Sequence, residues 1–322
     1  MTLRIRRILV PIGDLQAVPR AALRLAASVA AVTKARIELF HAVAPTSRLA
    51  SRAPRQRRQD SFSPPTPGDE LQQAQRRLER IATSAWAEGC RVASSVAADA
   101  PPHEAIVRRA RASRADLVIA ATHAHRRIAR LFLRNTDWEL IRYCPCPLLL
   151  ARSGTMRREP SILVAVDPFH AHAKPARLDA QLLAVGNGIA HVLGGSVHLF
   201  HAYMPLTAYV EGTLGEPVLW ESAEIEEVHG AQIRRGFNRL ADQAGIPRSR
   251  RHLVMGDVRS ELADAVRRLH ASLVVMGAVS RSGLRRLFIG STAERVLDQL
   301  RCDILIVKPR GFETQVPRKI PR

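Results

Sequence analysis

Residues 117–150 read LVIAATHAHRRIARLFLRNTDWELIRYCPCPLLL, and residues 273–306 read LVVMGAVSRSGLRRLFIGSTAERVLDQLRCDILI. The two stretches align without a gap at an offset of 156 residues, and eight of the 34 positions are identical. Two shorter matches precede them in the same order, Ile-Leu-Val at 8–10 and 162–164 and Leu-Phe-His-Ala at 39–42 and 199–202. A repeated order of motifs indicates two copies of one structural unit.

Each copy alternates short apolar runs with amphipathic stretches, as strands alternate with helices in α/β proteins. The run 273–276 is unbroken by polar residues, which is typical of a strand buried on both faces of a parallel sheet. The sequence therefore predicts two tandem α/β domains, each a doubly wound, Rossmann-like parallel sheet. In the second copy the predicted strands are 162–166, 196–203, 252–255, 273–276 and 303–308, and the predicted helices are about 178–193, 223–244, 260–270 and 292–300.

The boundary between the copies is predicted in the polar residues 152–160, so the first domain is expected over 1–154 and the second over 160–322. Residues 45–68 contain five arginines and five prolines, which predicts a basic loop. The equivalent residues 204–227 are apolar and acidic, without lysine or arginine. They could form a lid over a pocket, a contact for the other domain, or the start of a helix packed on its own domain.

The bulk composition is ordinary for a globular protein, with 46% hydrophobic and 24% charged residues. No apolar run approaches the roughly 20 residues needed to span a bilayer, and no leader is recognised, so a cytoplasmic location is expected. The net charge of +20 favours polyanionic ligands. Aromatic residues make up only 4% and form no stacking platform, which argues against dedicated nucleic-acid binding.

The cysteines and paired histidines do not predict a metal or redox centre. The H-x-H pairs at 123–125 and 170–172 are expected to be loop histidines, since a metal would need further ligands nearby. His41 and His201 close equivalent strands and are expected to be structural. The four cysteines lack C-x-x-C spacing and are expected to be free thiols with a packing role. They are Cys90, Cys144, Cys146 and Cys302.

The loop after the predicted strand 273–276 carries the candidate ligand site. In open parallel sheets, ligands bind beyond the carboxyl ends of the strands, where the strand order reverses. Gly277 and Gly290 would let the backbone turn and approach a ligand without a Cβ atom. Ser291 and Glu294 have the spacing of a capping box, so a helix is expected to begin there and to offer its first N–H groups to an anion.

Side chains around this loop add donors and charge. Ser291 and Thr292 would add hydroxyl donors, and Arg281 and Arg285 would add positive charge. Asp167 ends the first strand of the second copy, at the same edge of the sheet, where it would bind a ribose hydroxyl or a phosphate-bound metal. The pattern therefore predicts a phosphate-bearing ligand.

The loop resembles the ATP-binding signature of the universal stress protein family, G-x2-G-x9-G-S/T. Gly277, Gly290 and Ser291 match the signature, whereas Ser280 replaces its middle glycine and Gly283 follows three residues later. The resemblance covers nearly the whole chain and is strongest to the tandem-domain E-type members. Supporting stretches are Ile-Leu-Val-Ala-Val-Asp at 162–167, Ser-Thr-Ala-Glu-Arg-Val-Leu-Asp at 291–298, Cys-Asp-Ile-Leu-Ile-Val-Lys-Pro at 302–309 and Thr-Asp-Trp at 136–138.

The resemblance implies an adenine-nucleotide alpha-hydrolase-like fold, a pseudo-dimer of domains within one chain, and ATP with Mg²⁺ or Mn²⁺ in the second domain. It also implies pairing through the last strands, near 148–150 and 304–307, and dimers of whole chains. The first copy carries Ala121, Ala124 and Arg134 at the glycine positions, so its site is expected to be lost. The implied nucleotide-binding residues are Asp167, Gly277, Ser280, Arg281, Gly283, Gly290, Ser291 and Thr292.

The leading expectation is a cytoplasmic stress-response protein whose second domain binds ATP or a related nucleotide as a ligand or switch. The alternative is a nucleotide-independent binding or scaffold protein that holds an anionic, lipid-like amphiphile or a protein partner. It rests on the apolar residues 204–220, the positive first domain and Ser280. A third class, an ATPase or nucleotidyl transferase, would need a positioned base near Gly277, and the sequence shows no such base. The sequence does not decide whether the protein hydrolyses ATP slowly.

Overall fold

The structure, a computed structural model, describes residues 4–45, 66–122, 135–152, 158–169, 178–205, 222–278, 297 and 299–318. Their contacts form two compact units. The N-terminal unit contains the described residues of 4–122 and 135–152 together with 313–318, and the C-terminal unit contains those of 158–312. Each unit holds one of the two copies that the sequence repeat predicts.

The N-terminal unit is a parallel sheet with helices between successive strands. Its elements are β1 (Arg7–Pro11), α1 (Arg20–Thr33), β2 (Arg36–Val43), α2 (Pro67–Ala82), β3 (Arg91–Ala98), α3 (Pro102–Ala112), β4 (Leu117–Ala121), α4 (Asn135–Tyr143) and β5 (Leu148–Ala151). The strands lie in the order β3-β2-β1-β4-β5, and each neighbouring pair is parallel. The central strand β1 is fully buried at Ile8, Leu9 and Val10, as its unbroken apolar run predicts.

Helix α2 begins inside the stretch 45–68 that the sequence predicts to be a basic loop. Thr66 and Asp69 form a capping box, in which Thr66 Oγ1 accepts from the N–H of Asp69 and Asp69 Oδ2 accepts from the N–H of Thr66. These bonds satisfy N–H groups that a helix start leaves unpaired, so the helix begins earlier than the composition suggests. Residues 46–65 of the predicted loop lie outside the described residues.

The C-terminal unit repeats this architecture. Its elements are β6 (Ser161–Ala165), α5 (Leu178–Leu193), β7 (Ser196–Tyr203), α6 (Ser222–Gln243), β8 (Arg251–Met255), α7 (Val258–Arg268), β9 (Leu273–Gly277) and β10 (Asp303–Val307). The strands lie in the order β10-β9-β6-β7-β8 and are parallel. The prediction of an α/β fold with a doubly wound parallel sheet in each copy is confirmed. Of the predicted helix 292–300, Leu297 and Gln299 are described as helical and most other positions lie outside the described residues.

Helices α1 and α5 occupy equivalent places in the two units. Lys34 closes α1 with a backbone φ of 56°, and Gly194 follows α5 with a φ of 65°. Both residues end their helix in the left-handed conformation. They are 160 residues apart, as are the Leu-Phe-His-Ala stretches of β2 and β7. The same offset places Pro19 of the N-terminal unit opposite Asp179 of α5.

A glycine brings α5 close to the centre of its sheet. A Cβ atom on Gly186 would lie 2.5 Å from Cγ2 of Val164 in β6, which is closer than two nonbonded carbon atoms can approach. Glycine therefore permits a separation between helix and strand that a larger residue would increase. This packing fixes the position of the first turn of α5 over the carboxyl ends of the strands.

Three of the four cysteines lie just before the buried strands β5 and β10, in agreement with the packing role expected for them. Cys144 and Cys302 are buried, and Cys144 Sγ lies 3.9 Å from Cys146 Sγ. The pKa of the Cys146 thiol is raised well above its ordinary value, first by the neighbouring Cys144 and then by burial. A raised pKa keeps the thiol protonated and poorly reactive at neutral pH.

The last described residues, 313–318, pack on the N-terminal unit, although the sequence assigns them to the second domain. Val316 is only 5% exposed, and Arg111 Nη1 of α3 donates a hydrogen bond to the Val316 carbonyl at 3.0 Å. Burial of one apolar side chain and one backbone hydrogen bond provide the physical reason for this grouping.

We expect Val316→Ala to destabilise the N-terminal unit by about 1–2 kcal/mol, because it removes buried methyl groups and leaves a cavity. Amide hydrogen exchange should speed up in α3 and remain unchanged in α7. Arg318→Ala, at an exposed neighbouring position, is the matched control. Unchanged exchange in α3 for Val316→Ala would show that these residues add nothing to the unit.

Two histidines meet between β7 and β8. His198 Nδ1 and His252 Nε2 are 3.0 Å apart, and the rings stack with centroids 5.3 Å apart. Burial, then the charge of His198 and of Arg268, lower the pKa of His252 to about 4. Burial and Arg250 also lower the pKa of His198. The pair is therefore neutral at pH 7.

We expect acid to destabilise the C-terminal unit through this pair. Because the pKa of His252 is about 4 in the fold and about 6.5 when unfolded, the unfolded chain binds the proton first as pH falls. The free energy of unfolding should therefore drop between pH 6.5 and pH 4, and His252→Gln should weaken this drop. Urea unfolding at several pH values measures it, with the exposed His191→Gln as control. Equal pH dependence in both variants would contradict the assignment.

Candidate functional site

The two central strands of the C-terminal unit part at their carboxyl ends. The pairing of β6 with β9 ends at Val164 and Val275. Beyond that point β6 keeps its bonds to β7, since the N–H of Val166 donates to the carbonyl of Phe200, and β9 stays paired with β10 as far as Gly277. A crevice of this kind, at the point where the strand order reverses, is where open α/β sheets bind ligands.

The structure brings two of the predicted site residues to this crevice. Asp167 follows β6 and Gly277 ends β9, so both lie at the carboxyl edge of neighbouring strands. The other predicted site residues lie outside the described residues. They are Ser280, Arg281, Gly283, Gly290, Ser291 and Thr292.

Asp167 presents a buried acceptor. Its Oδ1 atom is buried and accepts no hydrogen bond within the part of the chain that the structure describes. An ionised carboxylate has no proton to donate, so its oxygens can only accept hydrogen bonds. A buried acceptor left without a donor costs about 1–3 kcal/mol. A ligand that brings a hydroxyl or N–H donor to this point would remove that cost.

The peptide group before the Asp167 side chain is bonded on both sides. The N–H of Asp167 donates to Asp179 Oδ1 at 3.1 Å. The carbonyl of Val166 lies 2.9 Å from His201 Nδ1, and because a carbonyl can only accept, the imidazole donates. Asp179 is 5% exposed and His201 is 8% exposed. The structural role expected for His201 therefore has a definite partner.

Gly277 packs against α5. A Cβ atom at this position would lie 2.9 Å from Cδ2 of Leu178 and 3.7 Å from Cδ1 of Leu182. The sequence interpretation explains this glycine by close approach to a ligand. The contact with Leu178 gives it a structural reason of its own, which the sequence did not reveal.

The first turn of α5 covers the ends of three strands. Leu178 contacts Gly277 of β9, Asp179 bonds the residue after β6, and Gln181 Nε2 donates to the carbonyl of Lys308 after β10 at 2.9 Å. Sequence reasoning did not single out Asp179 or Gln181. A signal was present, because Asp179 is an acidic residue on the otherwise apolar buried face of α5.

The equivalent crevice of the N-terminal unit differs. His41 Nδ1 lies 2.6 Å from the carbonyl of Ile12, as His201 does for Val166. The acid there is Asp14, which is exposed and whose Oδ1 accepts from the N–H of Gln16. Ala121 ends β4 at the position of Gly277, whereas Ala124 and Arg134 lie outside the described residues.

Possible metal ligands do not cluster among the described residues. Among them, no three His, Cys, Asp or Glu side chains gather closely enough to hold an ion. The H-x-H pairs at 123–125 and 170–172 lie outside the described residues. Residues 206–221, from the apolar and acidic stretch 204–227, also lie outside the described residues. In the described part of the chain, no helix has the length and apolarity of a membrane span.

We expect Gly277→Ala to lower the free energy of unfolding of the C-terminal unit by about 1–2 kcal/mol, because the added methyl group overpacks Leu178. Gly13→Ala is the matched control, since a Cβ atom there meets nothing within 4 Å. Urea unfolding measures both. A Gly277→Ala variant as stable as the control would show that this packing does not constrain the position.

The repeat and the fold agree with comparisons to known proteins. A model of the universal stress protein family matches residues 4–152 and 160–308. Universal stress protein E of Escherichia coli strain K12 is 30% identical over 222 residues, which are 67% of this chain and 67% of that protein. The Universal stress protein E homolog of Haemophilus influenzae strain Rd is 29% identical over 195 residues, which are 60% of this chain and 62% of that protein.

Solved structures share the fold. A universal stress protein from Pseudomonas aeruginosa UCBPP-PA14 matches with a TM-score of 0.70 and 25% identity, over 95% of this chain and 94% of that chain. One from Archaeoglobus fulgidus DSM 4304 shares the fold at 12% identity, with a TM-score of 0.61 over 94% of this chain and 98% of that chain. Because the family model matches both repeats, this chain belongs to the universal stress protein family, with two family domains in tandem.

Proposed function

We propose that the C-terminal unit binds an adenine nucleotide, ATP above all, in the crevice between β6 and β9. The observation that carries the proposal is the buried Oδ1 of Asp167, which lies at this crevice without a donor from the described residues. A ribose offers hydroxyl groups that can donate to this oxygen. The nucleotide would act as a ligand or switch in a cytoplasmic stress-response protein.

The phosphates would extend toward the loop that follows β9. Gly290 and Ser291 keep two of the elements that the family signature needs for a phosphate, and Arg281 adds positive charge. Mg²⁺ or Mn²⁺ would accompany the phosphates. The proposed contact residues are Asp167, Gly277, Ser280, Arg281, Gly283, Gly290, Ser291 and Thr292.

A second candidate is an anionic, lipid-like amphiphile. Several large apolar side chains are exposed at the carboxyl edge of the C-terminal unit or in the first turns of α6. Exposed apolar groups of this kind, when they gather, mark binding surfaces more often than single exposed residues do. They are Phe169, Met204, Ile225, Val228 and Met255.

Binding measured on the full chain should separate the two candidates and locate the site. We expect Asp167→Asn to weaken ATP binding about tenfold to hundredfold, because a hydrogen bond to a charged acceptor contributes about 1.5–3 kcal/mol. Asp14→Asn, in the equivalent loop of the N-terminal unit, should leave the affinity unchanged. Gly290→Arg should abolish binding by filling the phosphate position. Isothermal titration with ATP and Mg²⁺ gives the affinities.

Native mass spectrometry of the purified protein, before and after denaturation, identifies any ligand that copurifies. A released mass of ATP or ADP supports the nucleotide, and a lipid mass supports the amphiphile. A protein that carries neither and ignores added ATP would overturn both proposals and leave an interaction module with the family fold. Loss of ATP binding in Asp14→Asn, with binding retained in Asp167→Asn, would place the site in the N-terminal unit and contradict the proposal.

A further inference from the structure

We propose that Asp179 and His201 are positioning residues that hold the peptide group between Val166 and Asp167 in the orientation that the ligand site requires. We call this pair the peptide clamp. The inference deepens the proposed function and rests on it, because the group that the clamp orients is the carboxylate that would bind the nucleotide. Neither side chain needs to touch the ligand.

The two hydrogen bonds act on one rigid unit. A trans peptide group is planar, and its carbonyl and N–H point in opposite directions. His201 Nδ1 bonds the Val166 carbonyl at 2.9 Å, and Asp179 Oδ1 bonds the Asp167 N–H at 3.1 Å. Rotation of this plane would break both bonds at once. The clamp therefore fixes the backbone from which the Asp167 side chain leaves.

The two arms of the clamp belong to different layers of the fold. His201 lies in β7, next to β6 in the sheet, and its ring stacks near Tyr203 and Phe237 at centroid distances of 6.4 and 6.5 Å. Asp179 lies in the first turn of α5, where the helix dipole favours a negative charge. Both side chains are buried, and a hydrogen bond in a low-dielectric interior is stronger than one exposed to water. The orientation is thus set by sheet and helix together.

The N-terminal unit provides an internal comparison. Its histidine arm is present, since His41 Nδ1 lies 2.6 Å from the Ile12 carbonyl. The offset of 160 residues places Pro19 at the position of Asp179, and proline has no carboxylate. The acid of this unit, Asp14, is exposed and bonded to the N–H of Gln16. The unit without the carboxylate arm is therefore the one whose acid is exposed.

A double-mutant cycle tests whether the clamp acts through Asp167. We expect Asp179→Ala to weaken ATP binding by about tenfold or more, because the freed peptide no longer orients the Asp167 carboxylate. Asp179→Asn keeps an acceptor oxygen and should restore affinity to within about threefold of the wild type. In an Asp167→Asn background, Asp179→Ala should cost far less than in the wild type. A purely structural role would instead give additive losses.

The controls separate the clamp from stability and from the proposed function. Leu262→Ala in α7 removes a fully buried side chain that is not among the proposed contact or clamp residues, and it should lower stability without changing the ATP affinity. In ¹⁵N-resolved NMR of the free full chain, the Asp167 amide proton should shift in Asp179→Ala and stay near its wild-type position in Asp179→Asn.

Each outcome decides one question. A wild type that binds ATP while Asp179→Ala binds equally well would overturn the clamp and leave the proposed function standing. An unmoved Asp167 amide proton in Asp179→Ala would overturn the clamp irrespective of any ligand. A wild type that binds no nucleotide would overturn the proposed function, and with it the role of the clamp in binding.

Discussion

The reversal of strand order between β6 and β9 is the constraint on which the candidate site depends. In the sheet, β7 lies on one side of β6 and β9 lies on the other, and β6 and β9 pair with each other only as far as Val164 and Val275. Beyond those residues the backbone opens. The residues that follow this pairing therefore border an opening between the two strands, which is where open α/β sheets bind ligands.

The first turn of α5 determines which backbone and side-chain groups border this opening. Gly186 allows the helix to lie against β6, and the turn then contacts the ends of three strands. Through Asp179 it reaches the backbone of Asp167, whose Oδ1 atom is buried and accepts no hydrogen bond from the described residues. The stability of the unit and the chemistry of the crevice therefore depend on the same helix, which is why a buried polar contact persists among apolar residues there.

The two units show that one fold supports two different crevices. They share strand order, helix positions and the histidine that bonds the end of the first strand. The N-terminal unit has Pro19 where the C-terminal unit has Asp179, and Ala121 where the C-terminal unit has Gly277. None of these differences disturbs the sheet, because the affected residues lie at its carboxyl edge. A repeat can therefore keep its fold while the ligand site of one copy changes.

Much of the fold could be predicted from the sequence, because the repeat and the apolar runs are local patterns. The bounds of α5 and β7 agree with the prediction, and Asp167 and Gly277 were placed at the correct edge of the sheet. The bond between Asp179 and Asp167 could not be predicted, because it joins a helix to a strand end across a stretch with no local pattern. The packing of Val316 on the N-terminal unit was missed for the same reason: it depends on contact with distant residues.

A crystal structure of the full chain grown with ATP and Mg²⁺ would show whether the crevice between β6 and β9 is the nucleotide site. We expect nucleotide in the crevice between β6 and β9, a ligand hydroxyl or N–H within hydrogen-bond distance of Asp167 Oδ1, and the bonds from Asp179 and His201 intact. Nucleotide bound at the N-terminal unit, or bound at the C-terminal unit with Asp167 Oδ1 still without a donor from the ligand, would contradict this expectation.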